Sequence, residues 1–390
     1  MKRITLSSSV SAPLAKYKAR CKLLNHEALA NYEVLGYIAA GTYGKVYKAK
    51  TIKGGRYCAI KKFKADREGE VSYYTGISQS AYREMALCKE LHHENVILLL
   101  ETILERKSIY LVFEYAEHDL LQIIHYHYHQ DNRPIPSATI KSIMYQLIAG
   151  VDYLHKNWVV HRDLKPANIM ITAQGQVKVG DLGLSRSFQE PLQGLFKGDK
   201  VVVTIWYRAP ELLLGGRHYT PAIDLWAIGC IFAEILSLRP IFKGEEVKME
   251  NKKVVPFQRD QFQKIIEVLG TPRLQDWPNI TWYPDYPSFK QLRAYPNRLD
   301  SWYNRVTHIE PLGLSLLSEL FLFDPEKRLT AEDALKHGYF SIDPLPTKNA
   351  FEGSELKYPS RRISNDTNIK QNTKRVAGTD KGSRKRAKGP

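Results

Sequence analysis

HRDLKPANIM, residues 161–170, brings a histidine, an arginine, an aspartate, a lysine and an asparagine into ten positions. Thirteen residues beyond Asn168 stands DLG, residues 181–183, and further on APE, residues 209–211. Two more segments of this character lie upstream. The loop IAAGTYGKV, residues 38–46, sets Gly41 and Gly44 between two β-rich runs, and CAIKKFK, residues 58–64, sets Lys61 on the next run. Glycines in such a turn let backbone N–H groups approach phosphates, because no Cβ intervenes; a plain glycine-bearing hairpin has the same look. An interior strand lysine needs a counter-charge, and Glu84 on the following helix can supply it; the plainer alternative is a surface lysine on an edge strand. Each signal alone is weak. Five in one order, each in strand or helix context, leave coincidence little room.

Around these motifs the chain changes character once. Residues 31–121 read mostly as strands: 32–39, 44–51 and 57–63, with Gly54-Gly55 as a hairpin signal between the last two. A helix is expected over 81–91, with Ser80 as a possible cap. Strands over 96–104 and 108–115 follow. Beyond Glu117 helices take over. In 137–155, Ile140, Ile143, Leu147, Val151 and Leu154 recur at spacings of three and four, one apolar helical face. Further helical runs are expected over 221–238, 258–269, 312–322 and 331–337.

On these residues, 31–343 resemble a eukaryotic protein kinase. The resemblance implies an α+β fold of two lobes: a small β-rich N-lobe with one helix, residues 31–116, and a larger, mainly helical C-lobe, residues 117–343. LVFEYAEHDL, WYRAPELLLG, DLWAIGC and DPEKRLTAEDAL resemble the cyclin-dependent kinase branch, and GISQSAYREMALCKEL occupies the place of its cyclin-contacting helix. YAEHDL, VVVTIWYRAPELLLGGRHYT and AIDLWAIGCIFAE are closest to the Mediator-associated cyclin-dependent kinases that pair with cyclin C; IAAGTYG and DLG fit their fungal form.

The resemblance assigns roles. Asp163 would orient a substrate hydroxyl and accept its proton, and Lys165 would neutralise charge on the phosphoryl group in transfer. Asn168 and Asp181 would hold Mg2+. Lys61, paired with Glu84, would grip the phosphates of ATP. Ile38, Ala39, Ala40, Gly41, Thr42, Tyr43, Gly44, Lys45 and Val46 would form the loop over the nucleotide. Ile38, Val46, Ala59 and Met170 would sandwich the adenine. Phe113 would be the gatekeeper, Glu114 to Ala116 the hinge, and Asp119 the ribose contact. Glu211 and Arg328 would form a buried pair steadying the C-lobe. Val203 before Thr204 would shape a pocket for a proline after the phosphoacceptor. Lys165 after HRD implies serine/threonine specificity. Implied partners are cyclin C, other subunits of the Mediator kinase module, and, as substrates, the RNA polymerase II C-terminal repeats and transcription factors.

Three departures stand out. Ala39 replaces the first loop glycine, and Leu182 replaces the phenylalanine of DFG. The usual phosphorylated threonine is missing; Asp199 stands in its place, with Arg83, Arg162 and Arg186 matching the three arginines that grip the phosphate. A carboxylate carries about one charge against about −1.5 to −2 for a phosphate. Asp199 is thus a partial stand-in, or a solvated residue in a mobile loop. Thr42 and Tyr43 match inhibitory phosphosites of the branch, a weaker reading.

Composition sets the outer limits. In 390 residues, 43% are hydrophobic and 25% charged, ordinary for a globular chain that buries a core. The net charge is +16, yet residues 357–390 hold 11 Lys plus Arg against 2 Asp plus Glu, so +9 of it sits there. Few large apolar residues occur in that stretch, and 344–390 is expected to be disordered. Lys374-Arg375 and Arg384–Lys388 have bipartite nuclear-import spacing; a nucleic-acid patch is the alternative, disfavoured by the lack of interleaved aromatics. The expected location is the nucleus. Residues 1–30 read as an extension with a possible cyclin-contacting helix over 13–29, or a frayed tail; their basic, serine-bearing start also fits a transit segment loosely. Cys21, Cys58, Cys88 and Cys230 form no CxxC pair, which fits a reducing compartment. No run of 18 apolar residues exists to cross a membrane. The rivals are a kinase-fold scaffold, a nucleic-acid-binding protein resting on the charge, and another transcriptional relative in the branch. The presence of Lys61, Asp163, Asn168 and Asp181 argues against the first.

Overall fold

Period-two alternation in β-branched and aromatic runs drives the first part of the chain into a sheet. A computed structural model describes residues 29–40, 44–63, 79–105, 108–188, 205–216, 220–247, 256–307, 310–367 and 369. Strands β1 (Tyr32–Ala40), β2 (Gly44–Thr51), β3 (Tyr57–Phe63), β4 (Leu99–Glu105) and β5 (Ser108–Glu114) form one antiparallel sheet in the order β1-β2-β3-β5-β4. Neighbouring side chains on β3 point to opposite faces, so Lys61 and Lys62 serve different purposes. The inner face, with Phe63, Leu111 and Phe113, packs against Ala81 and Cys88 of α1 (Gln79–Glu90) and continues into the C-lobe core. The outer face, with Tyr47, Cys58, Ile60, Tyr110 and Val112, is covered by Leu29 and Ile369.

Two sequence expectations shift here. The helix begins at Gln79, so Ser80 lies inside it rather than capping it. The strand expected over 96–104 starts at Leu99; Val96 instead bridges to Val179 in the C-lobe, and Ile97 donates to the Val179 carbonyl at 2.9 Å. Part of that apolar run is used to join the lobes.

The C-lobe is built on α2 (Leu120–Tyr126), α3 (Ser137–Lys156) and α4 (Ala222–Ser237). The apolar face of α3 is buried as its spacing requires, from Ile140 through Leu154. On α4 every residue from Ile223 to Ile235 is buried, the mark of a central helix. Further helices run over Arg259–Leu269, Leu299–Val306, Pro311–Leu320 and Ala331–Leu335. Short strands β6 (His118–Asp119), β8 (Ile169–Ile171) and β9 (Val177–Val179) make a three-stranded sheet, and β10 (Arg186–Ser187) pairs with β7 (Val159–Val160).

The expectation of disorder from residue 344 does not hold for residues 344–367 and 369. Lys141 Nζ donates to the Ile342 carbonyl at 2.7 Å, and Gln146 Nε2 to the carbonyls of Thr347 and Lys348. Ala350 N–H donates to the Gly175 carbonyl at 2.9 Å. Tyr358 is buried beside Tyr126 and His127. Ser364 and Tyr37 exchange two backbone hydrogen bonds, and the Ile369 carbonyl accepts from Lys62 Nζ. Low apolar content concealed this because partners on α3 and β1, far away in sequence, satisfy the segment's polar groups. The nuclear-import candidate and residues 1–28 lie outside the described residues.

Candidate active site

Strand β3 carries Lys61 inward. Its Nζ lies 2.7 Å from both oxygens of Glu84 on α1 and 2.7 Å from Asp181 Oδ1. Burial alone would lower the Lys61 pKa, but two carboxylates at contact distance hold it above the ordinary lysine value. Burial would likewise raise Asp181, yet Lys61 reverses the sign and holds that carboxyl below its usual range. The Lys–Glu pair inferred from sequence is therefore formed within the chain itself, and it is a triad with Asp181.

The segment 161–170 wraps a second set of groups. Asp163 is buried, with Lys165 Nζ 2.8 Å from Oδ2 and 3.1 Å from Oδ1. Asn168 Nδ2 donates to the Asp163 carbonyl at 2.8 Å and to Oδ2 at 3.1 Å. With its amide nitrogen committed, Asn168 has only its amide oxygen to offer a cation. Burial raises the Asp163 carboxyl pKa, and Lys165 opposes the rise. His161 locks the loop to the next motif: its Nε2–H donates to the Gly180 carbonyl at 2.9 Å, and its Nδ1 accepts from Asp163 N–H at 3.2 Å.

Arg162 and Asp181 both adopt positive φ, 72° and 62°. Non-glycine residues rarely hold that conformation without strong surroundings. Asp224 supplies them for the first. Fully buried on α4, it accepts from His161 N–H (2.8 Å), Arg162 N–H (2.9 Å) and His155 Nε2 (2.9 Å). DLWAIGC entered the sequence reading only as a likeness, so Asp224 was missed as a support; its place at a helix start was the available signal.

The residues that the resemblance assigned to the adenine lie on the β1–β3 and β5 strands and on β8. Ala59 pairs with Phe113 across β3 and β5. Val46 pairs with Lys61 and Ala39 with Val46, while Ile38 falls in an irregularity of the β1–β2 ladder. Ala40 pairs with Lys45, and Ala39 is exposed at the strand end. Gly44 is required by the sheet itself: a Cβ there would lie 2.3 Å from the Lys62 carbonyl oxygen. Ala116 is buried just after β5, and Asp119 pairs with Met170 across β6 and β8. The Glu114 side chain accepts from Leu98 N–H (2.8 Å) and Lys178 Nζ (2.9 Å), a clamp on the hinge that sequence spacing gave no means to see. Leu182 is fully buried below Asp181. Glu211 and Arg328 form the expected pair, bidentate at 2.9 and 3.0 Å. Gly41, Thr42, Tyr43, Asp199, Val203 and Thr204 lie outside the described residues.

The protein kinase domain family matches residues 32–340. The chain belongs to that family. This kinase is 60% identical to serine/threonine-protein kinase SSN3 of Yarrowia lipolytica over 374 residues, 95% of this chain and 92% of that one. It is 55% identical to the protein of the same name from Scheffersomyces stipitis, covering 96% and 93% of the two chains. A third, from Phaeosphaeria nodorum, is 55% identical over 94% and 88%. Protein kinases use ATP and Mg2+, and the oxygen donors Asn168 and Asp181 fit Mg2+. Asp181 commits Oδ1 to Lys61, and its side chain is 39% exposed. Among the described residues no cluster of three or more His, Cys, Asp or Glu could hold a metal by itself. Mg2+ typically takes one or two protein ligands and completes its shell from phosphates and water.

Proposed function

We propose that this kinase is the catalytic subunit of a cyclin-activated assembly, the Mediator kinase module, that phosphorylates serine or threonine in transcription-related proteins. It is a serine/threonine-protein kinase, as are the relatives it matches nearly end to end. The observation that carries the catalytic reading is the placement of Lys61 between Glu84 and Asp181, beside the Asp163–Lys165–Asn168 group. Catalysis of phosphoryl transfer is positioning plus electrostatic stabilisation. Asp163 orients the substrate hydroxyl and takes its proton. Lys165, beside it, offsets charge on the phosphoryl group. Lys61 grips the phosphates of ATP, and Glu84 keeps its ammonium aimed. Asn168 and Asp181 would hold Mg2+, which neutralises phosphate charge when bound. Ile38, Val46 and Ala59 above and Met170 below would hold the adenine, against Phe113 and the backbone of 114–116.

Exposed Tyr82 on α1 and exposed Leu100 and Leu104 on the neighbouring β4 support a protein partner at this edge. Cyclin C is the partner this reading names, with RNA polymerase II C-terminal repeats and transcription factors as substrates. Among the described residues no helix is long and apolar enough to cross a membrane; the basic clusters at 374–388 support a nuclear site of action.

The deciding experiment is transfer of phosphate from ATP to an RNA polymerase II C-terminal-repeat peptide, with and without cyclin C. Asp163→Asn serves as the blank. Transfer that requires the cyclin and vanishes in the blank is expected. A folded, cyclin-bound chain without activity would refute the catalytic reading in favour of a scaffold.

A further inference from the structure

The family match ends at residue 340, yet the chain beyond it returns to the nucleotide side of the molecule. The segment runs up α3, where Lys141, Ser142 and Gln146 bind residues 342–348. It then lays Phe351 and Tyr358 against His118. His118 Nδ1 meets the Pro359 carbonyl at 3.0 Å, and His127 Nε2 accepts from the Tyr358 hydroxyl at 3.0 Å. These contacts deliver Arg361 to the end of the hinge. Its backbone N–H donates to the Glu117 carbonyl at 3.0 Å, and its Nη2 lies 3.5 Å from the His118 carbonyl. Its Nε, buried and without a hydrogen-bond partner, lies 3.5 Å from Asp119 Oδ2. Ser364 then bridges to Tyr37 on the opposite lobe.

We propose that Arg361 is a nucleotide-positioning residue: it fixes the Asp119 carboxylate so that its remaining lone pairs receive the ribose hydroxyls of ATP. This rests on the reading of Asp119 as the ribose contact. Asp119 pairs with Met170 on the floor of the nucleotide site, five residues beyond Glu114. Its Oδ1 is taken by the N–H of Gln122 at 2.9 Å, which sets one edge of the carboxylate. Arg361 sets the other, at ion-pair rather than hydrogen-bond distance. A carboxylate offers about four lone-pair sites, so these two partners leave room for hydroxyl donors. Asp119 and Arg361 are both largely buried, with side-chain exposures of 15% and 12%, so water screens the pair weakly. Burial raises the Asp119 carboxyl pKa, and Arg361 opposes that rise.

The test compares KM for ATP with KM for 2′-deoxy-ATP and 3′-deoxy-ATP, using the full chain with its cyclin. In Arg361→Ala the KM for ATP rises roughly threefold to tenfold, the net worth of about one hydrogen bond. The deoxy analogues change little, so discrimination falls toward that of Asp119→Ala. Arg361→Lys, which keeps the charge, restores most of it. A general loosening of the fold would raise all three KM values together and would overturn the proposal, as would a lower KM for ATP in Arg361→Ala. If the unchanged kinase and Asp119→Ala treat all three nucleotides alike, the ribose reading is itself wrong. If only Asp119→Ala loses discrimination, the error lies with Arg361.

Discussion

In the proposed mechanism Asp163 accepts a proton, and a carboxylate does so best when its pKa is lifted toward the working pH. Burial raises it, and the Lys165 ammonium 2.8 Å away limits the rise. The sign of a mutation follows. The base is active when deprotonated, so activity falls as pH drops through its pKa. Removing the positive charge in Lys165→Met lets that pKa climb further. The acid limb of the kcat profile should therefore move to higher pH, together with a lower plateau. Rates measured between about pH 5 and 8 check this; a limb that stays put or moves down would show that Lys165 does not tune Asp163. At this scale the sequence was informative, because a short, ordered motif fixes which groups can meet. It said nothing of Lys178 and Glu114 or of Arg361 and Asp119, whose partners are separated by 64 and 242 residues.

Elements hold these residues in conformations they would not choose alone. Arg162 at φ 72° persists because α4 presents Asp224 to the N–H groups of His161 and Arg162. In Asp224→Ala both donors lose their acceptor in a buried site, at about 1–3 kcal/mol each. The expected result is a Tm lower by several degrees and a kcat reduced by at least an order of magnitude, with KM for ATP changed less. Thermal melting and steady-state kinetics measure both; wild-type kcat would refute the anchoring role. Burial pushes the Asp224 carboxyl up, but His155 and the backbone donors prevail and hold it below its usual value. Its contribution to stability is therefore complete above the unfolded carboxylate pKa and is lost as pH falls through the folded one. Helix and strand spans were legible wherever period and length agreed, as in α3. They failed at Val96, where one apolar run serves two sheets.

Across the whole molecule, the segment 341–369 ties the C-lobe, hinge and N-lobe together. At Gly36 it comes so close that a Cβ would lie 2.3 Å from the Ser364 carbonyl oxygen and 2.4 Å from Ile363. Gly36→Ala should dislodge the segment without touching the catalytic groups. Proteolysis within 355–369 is expected to accelerate, and KM for ATP to rise with kcat nearly intact; unchanged proteolysis would show that the contact is slack. Through its motifs and their family resemblance, the sequence by itself determined the two-lobed kinase fold and the buried Glu211–Arg328 pair. The first rests on short ordered motifs, which survive in one dimension; the second was implied by the resemblance those motifs carry. Only the tertiary structure decided that Lys61 is shared by two carboxylates, that Asp224 sustains the strained loop, and that a polar tail becomes part of the hinge. Those outcomes depend on which distant groups exclude water from one another, and neither composition nor spacing encodes that.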